Sequence, residues 1–290
     1  MKILVLGATG MLGYSIFKNL SEYAHLDVRA TVRSTEGLEQ YYVGLEDKLI
    51  KNVDVLSMSV IEAVIKEVAP NIVINCIGLI KQQSSAKKAI NAIQINSLLP
   101  HQLAEACDKY EAKLIHFSTD CVFDGRDGGY QEDDLPNASD LYGKSKHLGE
   151  VAYVPHLTLR TSIIGHELSS SLSLIDWFLS QEGEINGYSK AVFSGMPTCY
   201  IAKLLGEHLS DINSISGLYH LAVDSIDKRS LLENVAKIYQ KKITINNQDS
   251  FVINRSLNGD KLNRTLGLRH LKWGDLIPLM HQDYQQHYVK

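Results

Sequence analysis

The sequence lacks the features that mark disulfide-bonded, zinc-binding and membrane-spanning proteins. Its 290 residues include only four cysteines, which are far apart and form no C-x-x-C pair: Cys76, Cys107, Cys121 and Cys199. We therefore expect no disulfide framework and no metal site, and we expect a cytoplasmic protein. No apolar run approaches the ~18 residues of a membrane helix, and the apolar start at residues 3–6 is too short for a signal peptide.

The sequence also lacks a strong charge of either sign. Lys and Arg total 29 against 33 Asp and Glu, which gives a net charge of -4, and no basic patch with interleaved aromatics occurs. A nucleic-acid partner is therefore not expected. The apolar content of 44% is enough for a sizeable core in one or two domains.

The amino terminus carries a glycine-rich segment between a predicted strand and a predicted helix. An apolar run at residues 2–6 leads directly into G-A-T-G-M-L-G, and an amphipathic pattern follows at residues 11–20. In such a segment Gly7 permits the tight turn, Gly10 lets backbone approach a pyrophosphate, and Gly13 lets the helix lie close on the strand. An ordinary strand–helix turn is the alternative. The candidate dinucleotide contacts are Gly7, Thr9, Gly10, Met11, Leu12 and Gly13.

The end of the second predicted strand, at residues 27–32, bears on the choice of cofactor. Arg33 and Ser34 follow it, where an NAD-specific site normally has a carboxylate for the ribose hydroxyls. An arginine can instead pair with a 2'-phosphate. The pattern favours NADP, with NAD as the second option and a solvated Arg33 as the alternative.

Further strands and helices alternate along the chain. The pattern predicts strands at residues 52–55, 72–77, 113–117, 157–163 and 217–222, and helices at residues 60–68, 172–181 and 200–210. Strands connected through helices form parallel sheets. We therefore predict an α/β fold with a doubly wound parallel sheet of the Rossmann type.

The stretch between residues 117 and 150 carries the candidate catalytic chemistry. F-S-T-D-C-V-F-D-G is followed by a loop and then by Y-G-K-S-K-H-L-G-E. Tyr142 and Lys146 are four residues apart and share a helix face, so the ammonium could lower the phenol pKa from its usual value of ~10. A hydroxyl from Thr119 would donate a second hydrogen bond to a carbonyl oxygen. The same spacing occurs at Tyr14 and Lys18, which we interpret as an ordinary helix surface.

Together with E-D-D-L-P at residues 132–136, these motifs resemble the extended short-chain dehydrogenases/reductases, and most closely the dTDP-4-dehydrorhamnose reductase group. The resemblance extends over nearly the whole chain. It implies that Thr119, Tyr142 and Lys146 form the catalytic set. The family usually has tyrosine where this chain has Cys121, on the substrate side. Because of this difference, the resemblance does not decide which sugar is the substrate.

The resemblance also implies further contacts. The cofactor residues would be Asp54 and Val55 at the adenine, Cys76, Ile77 and Gly78 at the nicotinamide, and Lys146 at its ribose. Asn96 would help to hold the active-site backbone, since a buried asparagine needs a polar partner. The candidate substrate contacts are Ser118, Asp120, Cys121 and Arg255. For Arg255, a contact with the substrate diphosphate is weighed against a position on the surface or in the packing of the smaller lobe.

The same resemblance implies the domain organisation. Residues 1–163 would form the dinucleotide-binding domain, to which residues 197–222 return. Residues 164–196 and 223–290 would form a smaller α/β lobe that covers the substrate. Within S-G-M-P-T, Thr198 would cap the following helix.

The implied function is NADPH-dependent reduction of a nucleotide-linked 4-keto-6-deoxy sugar for surface polysaccharide synthesis. The substrate could be dTDP-4-dehydrorhamnose or a UDP-2-acetamido-2,6-dideoxy-4-hexulose. The oligomeric state is left open, with a homodimer as one option. One alternative is a non-catalytic NADP-binding subunit like the β subunit of methionine adenosyltransferase, which usually has serine where this chain has Thr119. Another is an epimerase or dehydratase, although Cys121 stands where a dehydratase would have glutamate after Asp120.

Overall fold

The structure is a computed structural model that describes residues 1–80 and 88–289. In the first part of the chain, short strands alternate with helices. The elements are β1 (Lys2–Leu6), α1 (Met11–Leu20), β2 (Asp27–Thr31), β3 (Leu49–Ile50), α2 (Met58–Val68), β4 (Ile72–Asn75), α3 (Ala89–Ala92), α4 (Leu99–Lys109) and β5 (Lys113–Thr119). A π-helical segment, Ile93–Leu98, joins α3 to α4.

The second part of the chain completes the large sheet and adds several smaller ones. Its elements are α5 (Leu141–Leu148), β6 (Leu157–Thr161), β7 (Ile163–Ile164), α6 (Leu174–Ser180), β8 (Glu184–Tyr188), β9 (Ala191–Phe193), β10 (Met196–Pro197), α7 (Thr198–Ser214), β11 (Gly217–His220), β12 (Ile226–Asp227), α8 (Lys228–Ile238), β13 (Thr244–Gln248), β14 (Ile253–Asn254), α9 (Asp260–Leu266) and α10 (Trp273–His287). Over the residues described, none of these helices has the length and apolar character needed to cross a membrane.

The large sheet has seven parallel strands in the order β11-β6-β5-β4-β1-β2-β3. The direction of winding reverses between β1 and β4, where Leu6 pairs with Asn75. The predicted doubly wound sheet is therefore confirmed. In such sheets ligands bind at the carboxyl ends of the strands, at the point where the order reverses. The glycine-rich loop follows β1 at this point, so the topology predicts a ligand site at the carboxyl edge of β1 and β4.

Both faces of the large sheet are covered by helices. Ile3 and Val5 of β1 pack into the cluster that includes residues of α1, α7 and α10, whereas Leu4 and Leu6 pack into the cluster with α2 and α4. Successive side chains of a strand point to opposite faces, so a strand covered on both faces is apolar throughout. This explains the continuous apolar runs in the sequence.

The smaller sheets lie later in the chain. β9 pairs with β12 and β14, β8 with β13, and β7 with β10. They contribute a smaller α/β part, as the predicted fold class expected. The exact division into residues 1–163 with 197–222 and residues 164–196 with 223–290 stays a prediction.

Two local predictions are wrong. The third strand is Leu49–Ile50 and not residues 52–55, because the positive φ of 61° at Asn52 interrupts the extended backbone. Thr198 is the first residue of α7 and does not cap it. The cap position belongs to Pro197, whose fixed φ of -60° suits extended backbone before a helix.

The interpretation of Tyr14 as a surface residue is also wrong. Its side chain is fully buried, its hydroxyl donates to the His287 carbonyl oxygen at 3.0 Å, and its ring packs edge-on against the ring of Tyr288. The carboxyl end of α10 covers this face of α1. The periodicity of α1 alone cannot predict this contact, because His287 lies 273 residues away in the sequence.

Candidate active site

The glycine-rich loop is a tight turn between β1 and α1. Gly7 has a φ of +87°, and the Gly10 amide donates to its carbonyl oxygen at 3.1 Å. A methyl group at Gly13 would lie only 2.1 Å from that same oxygen. The loop therefore requires glycine at both ends, and it leaves the first amides of α1 at the carboxyl edge of the sheet, where they suit an anionic group.

A cavity of about 370 Å³ opens beside this loop. Ends of neighbouring parallel strands and the start of α5 form its walls. Among the predicted site residues, its lining includes Gly10, Met11, Leu12, Cys76, Ile77, Gly78, Ser118, Thr119, Asp120, Cys121, Tyr142 and Lys146. The three predicted catalytic side chains and the middle of the glycine-rich loop thus line one cavity.

The S-T-D-C segment forms one wall as a turn at the end of β5. The Thr119 hydroxyl accepts a hydrogen bond from the Cys121 amide at 3.1 Å and donates one to Asp120 Oδ1, also at 3.1 Å. Asp120 is 5% exposed. Burial raises the pKa of Cys121 to about 12, so its thiol is protonated at neutral pH.

Tyr142 and Lys146 extend from α5 toward this turn. Burial raises the pKa of Tyr142, and the hydrogen bond with Thr119 acts in the opposite direction. The expectation that Lys146 lowers the Tyr142 pKa is therefore not met, because desolvation of the phenol dominates. Lys146 Nζ donates to the Phe117 carbonyl oxygen at 2.7 Å. Burial lowers the Lys146 pKa to about 8, although Glu150 partly offsets this effect.

Helix α5 lies unusually close to the S-T-D-C turn at the end of β5. A methyl group at Gly143 would lie 2.3 Å from the Cys121 carbonyl oxygen, so only glycine allows this approach. At the start of the helix, the Gly143 amide donates to the Asp140 carboxylate at 2.9 Å, which is an N-cap bond. Close packing and capping together bring Tyr142 to the same cavity as Thr119.

Asn96 braces the backbone behind the cavity. Its side-chain oxygen accepts from the Leu79 amide at 2.8 Å, and its side-chain nitrogen donates to the Leu79 carbonyl oxygen and to Ser145 Oγ, both at 3.2 Å. These bonds connect the segment after β4 with α5. Asn96 therefore contacts cavity-lining backbone and lies outside the lining itself.

A buried ion pair, which the sequence analysis missed, connects β5, α5 and β6. Glu150 accepts from Arg160 Nε at 2.7 Å, from Arg160 Nη2 at 2.8 Å and from Ser118 Oγ at 2.8 Å. Arg160 is only 2% exposed. A charged residue inside the apolar pattern L-T-L-R-T was the available signal, since a buried charge needs a partner.

The remaining predicted cofactor residues lie around the cavity. Gly7, Thr9 and Gly13 belong to the glycine-rich loop outside the lining. Arg33 and Ser34 are exposed directly after β2, and the Ser34 hydroxyl accepts from the Glu36 amide at 3.1 Å. Asp54 and Val55 follow β3 in a loop, where the Asp54 carboxylate accepts from the Leu56 amide at 3.0 Å. Arg33 and Ser34 thus follow β2, which adjoins β1, and Asp54 and Val55 follow β3, the next strand outward.

Arg255, a predicted substrate contact, lies against the S-T-D-C turn and the residues that follow it. Its Nε donates to the Phe123 carbonyl oxygen at 3.0 Å, and its Nη1 lies 3.5 Å from Cys121 Sγ. The side chain is half-buried and outside the cavity lining. These contacts fit the packing alternative, and a substrate contact by Arg255 stays a prediction. Within the described residues, no cluster of His, Cys, Asp and Glu is arranged to hold a metal ion.

Comparison with known proteins identifies the family. A family model for the RmlD substrate binding domain matches residues 1–242. The chain belongs to this family. The match includes the glycine-rich loop, the S-T-D turn and α5, and it confirms the resemblance to the dTDP-4-dehydrorhamnose reductase group.

Several curated proteins are similar to about half of the chain. A probable low-salt glycan biosynthesis reductase from Haloferax volcanii is 34% identical over 149 residues, which are 51% of this chain and 47% of the relative. A dTDP-4-dehydrorhamnose reductase from Aggregatibacter actinomycetemcomitans is 29% identical over 51% of this chain and 45% of its own. Methionine adenosyltransferase 2 subunit beta from Xenopus tropicalis is 30% identical over 52% of this chain and 42% of its own. The matches thus span less than half the length of these relatives.

Solved structures match over nearly the full length. A dTDP-4-dehydrorhamnose reductase from Bacillus anthracis, in complex with NADP, has a TM-score of 0.80 at 20% identity and covers 97% of this chain and 99% of its own. A UDP-glucuronic acid 4-epimerase from Bacillus cereus, in complex with NAD, has a TM-score of 0.75 at 19% identity and covers 100% of both chains. These likenesses establish the extended Rossmann-type fold.

Proposed function

We propose that the protein is an NADPH-dependent reductase of a nucleotide-linked 4-keto-6-deoxy sugar. The observation that carries this proposal is the convergence of Thr119, Tyr142 and Lys146 in one cavity beside a glycine-rich loop. The matched family model and the relatives named as reductases support the same reaction class.

The residues of the glycine-rich loop fit a dinucleotide. The close approach of Gly13 to Gly7 and the free amides at the start of α1 form a cradle for a pyrophosphate. Arg33, exposed at the end of β2, is available for a 2'-phosphate, and this favours NADPH over NADH. The bound cofactor would supply the hydride.

The catalytic side chains would orient the ketone and supply the proton. Tyr142 is in its protonated form at neutral pH because burial raises its pKa, and it would transfer that proton to the carbonyl oxygen. Thr119 would donate a second hydrogen bond to the same oxygen. Lys146, with an ammonium beside the Phe117 carbonyl, would hold the nicotinamide ribose and stabilise the phenolate as it forms.

The identity of the sugar depends in part on Cys121. A cysteine lines the cavity where the family usually has tyrosine, so the wall lacks a ring and a phenolic hydroxyl at this point. This difference favours a substrate with a larger substituent, such as a 2-acetamido group. Within the proposal, a UDP-2-acetamido-2,6-dideoxy-4-hexulose is therefore the first candidate and dTDP-4-dehydrorhamnose the second.

A panel of 4-keto nucleotide sugars tests the proposal. We expect NADPH oxidation with at least one ketone, and we expect Tyr142→Phe to lower kcat by ~10²-fold while NADPH affinity stays near that of the unmodified protein. Tyr188→Phe is the matched control, since Tyr188 is exposed and its ring packs against the ring of Phe251, far along the chain from the proposed catalytic residues. NADPH binding without oxidation by any ketone would instead support a regulatory subunit.

A further inference from the structure

Glu167 is a charged side chain of the cavity lining that the proposed reaction leaves unused. It lies in the loop between β7 and α6. Its half-buried side chain lines the same cavity as Tyr142 and Lys146. A carboxylate that is partly withdrawn from water needs hydrogen-bond donors, so the bonds of each oxygen indicate what this side chain does.

The backbone of its own loop holds one oxygen of Glu167. Oε2 accepts from the Leu172 amide at 2.8 Å and from the Ser173 amide at 2.9 Å. Across residues 1–80 and 88–289, Oε1 takes part in no hydrogen bond, and it is not one of the fully buried unpaired polar atoms. Since a carboxylate only accepts hydrogen bonds, the two amides fix the side chain and leave Oε1 as an acceptor for a second molecule.

A buried network behind Glu167 holds its backbone in place. The Glu167 amide donates to Asp176 Oδ2 at 2.7 Å, and Asp176 Oδ1 lies 2.5 Å from His166 Nδ1. His166 is 2% exposed, and its Nε2 lies 2.8 Å from the Tyr239 hydroxyl. The carboxylate therefore extends from a loop whose position is fixed by buried hydrogen bonds, and such support is what a recognition residue requires.

The chemistry of a nucleotide sugar limits which of its groups can bind to Oε1. In the proposed reaction the ketone oxygen accepts from Tyr142, and an acceptor gains nothing from a carboxylate. The diphosphate is anionic, so a carboxylate repels it. The sugar groups that remain are hydroxyls and, where present, an acetamido N–H. These groups donate, and hydrogen bonds to a carboxylate are stronger than those between neutral groups.

We propose that Glu167 is a specificity-determining residue whose Oε1 accepts a hydrogen bond from a hydroxyl or an acetamido N–H of the substrate sugar. This inference rests on the proposed reductase function and deepens it. Tyr142 recognises the ketone, which accepts, and Glu167 recognises a second group, which donates. Two such contacts of opposite kind fix the orientation of the sugar ring in the cavity.

Glu167→Gln separates recognition from a purely structural role in the loop. The Leu172 and Ser173 amides orient the Gln oxygen toward themselves, so the loop keeps its bonds and an NH₂ group replaces Oε1. A donor thus replaces the acceptor that the sugar needs. For the ketone of the panel that the unmodified protein reduces fastest, we expect KM to rise by ~10–100-fold, the range for a lost hydrogen bond to a charged group, with kcat nearly unchanged.

Two further measurements on Glu167→Gln identify the group that is recognised. Tm and the NADPH affinity from fluorescence titration should equal those of the unmodified protein. An unchanged KM would mean that the carboxylate only holds its loop, and the inference would be overturned. Weaker NADPH binding with an unchanged KM would overturn it as well, because Oε1 would then contact the cofactor. Glu182→Gln is the matched control, since Glu182 is exposed after α6 and outside this cavity lining, and its KM should not change.

A binding experiment without turnover separates this inference from the proposed function. The same ketone is titrated by calorimetry into protein saturated with NADP⁺, which cannot donate a hydride. The Kd should be at least ~10-fold higher for Glu167→Gln than for the unmodified protein. If ketones bind but none is reduced with NADPH, the proposed function is wrong, and this difference in Kd still supports the role of Glu167. Equal Kd values overturn the role of Glu167 alone. If the unmodified protein neither binds nor reduces any ketone, both proposals are overturned.

Discussion

The buried pair of Glu150 and Arg160 is the strongest single test of how the active site is held together. Glu150 Oε1 accepts hydrogen bonds from Arg160 Nε and Ser118 Oγ. Glu150 Oε2 accepts from Arg160 Nη2 and also lies 2.9 Å from His147 Nδ1. Ser118 precedes Thr119, and Glu150 lies just after α5. Replacing Glu150 with Gln removes the charge at the point where the end of β5 meets the end of α5.

The expected cost follows from the burial of Arg160. Gln keeps one acceptor oxygen, but the guanidinium, 5.2 Å from the centre of the Phe123 ring, loses its counter-charge inside the protein. Breaking a buried pair in this way costs about 3–5 kcal/mol. At about 2–4 °C per kcal/mol, the expected fall in Tm is roughly 6–20 °C. We expect a value in the lower half of this range, because the Gln side chain keeps one acceptor oxygen for Arg160.

A pH series of thermal melts tests the electrostatic origin of this loss. Burial alone would raise the pKa of Glu150, but its bonds and charge interaction with Arg160, and its bonds with His147 and Ser118, lower it overall. A carboxyl group whose pKa is lower in the folded than in the unfolded protein stabilises the fold fully at pH values above its unfolded pKa, here 4.5. This stabilisation is lost as the pH falls from that value through the folded pKa. The difference in Tm between the two proteins should therefore shrink below about pH 4.5.

The matched control is the surface pair of Lys109 and Glu62. Their charged atoms are 2.5 Å apart, but the side chains are 58% and 35% exposed. Glu62→Gln should therefore barely change Tm, since exposed pairs are screened by water. If Glu150→Gln melts within the error of Glu62→Gln at neutral pH, the buried pair does not stabilise the fold as argued.

Two further predictions concern the cofactor. Arg33→Ala should weaken NADPH binding and leave NADH binding nearly unchanged in a fluorescence titration; an unaltered preference would exclude Arg33 as the contact of the 2'-phosphate. Affinity for NADPH should also fall as pH rises through about 8, because Lys146 is charged only below its lowered pKa. Lys146→Gln should bind more weakly at pH 7 and lack this decline, and an identical decline in the variant would contradict the assignment.

Local sequence patterns were sufficient to predict the parallel sheet and the components of the site. Apolar runs followed by helical periodicity gave β1, α1 and β4 within a few residues, because strands covered on both faces are apolar throughout. The four-residue spacing also predicted that Tyr142 and Lys146 share a cavity. These features depend on residues close together in the chain, and such patterns are readable without knowledge of the packing.

Long-range packing accounts for the features that the sequence did not predict. The burial of Tyr14 requires His287, and the position of Arg255 depends on the Phe123 carbonyl, 132 residues away. The Tyr142 pKa depends on how completely the folded cavity excludes water from the phenol. None of these three features has a local signature in the sequence.

The two Y-x-x-x-K segments show what a motif must contain to become a site. Tyr14 has the spacing, but its hydroxyl is bonded to the backbone of α10. Tyr142 has the spacing, and its segment contains two further residues that position the helix. Gly143 allows α5 to approach the Cys121 carbonyl. Glu150, just after the helix, accepts a hydrogen bond from Ser118, the neighbour of Thr119. In the proposed function, the phenol and the ammonium of this motif supply the chemistry. The glycine and the glutamate of the same motif place these two groups at the carboxyl edge of the sheet, beside the glycine-rich loop.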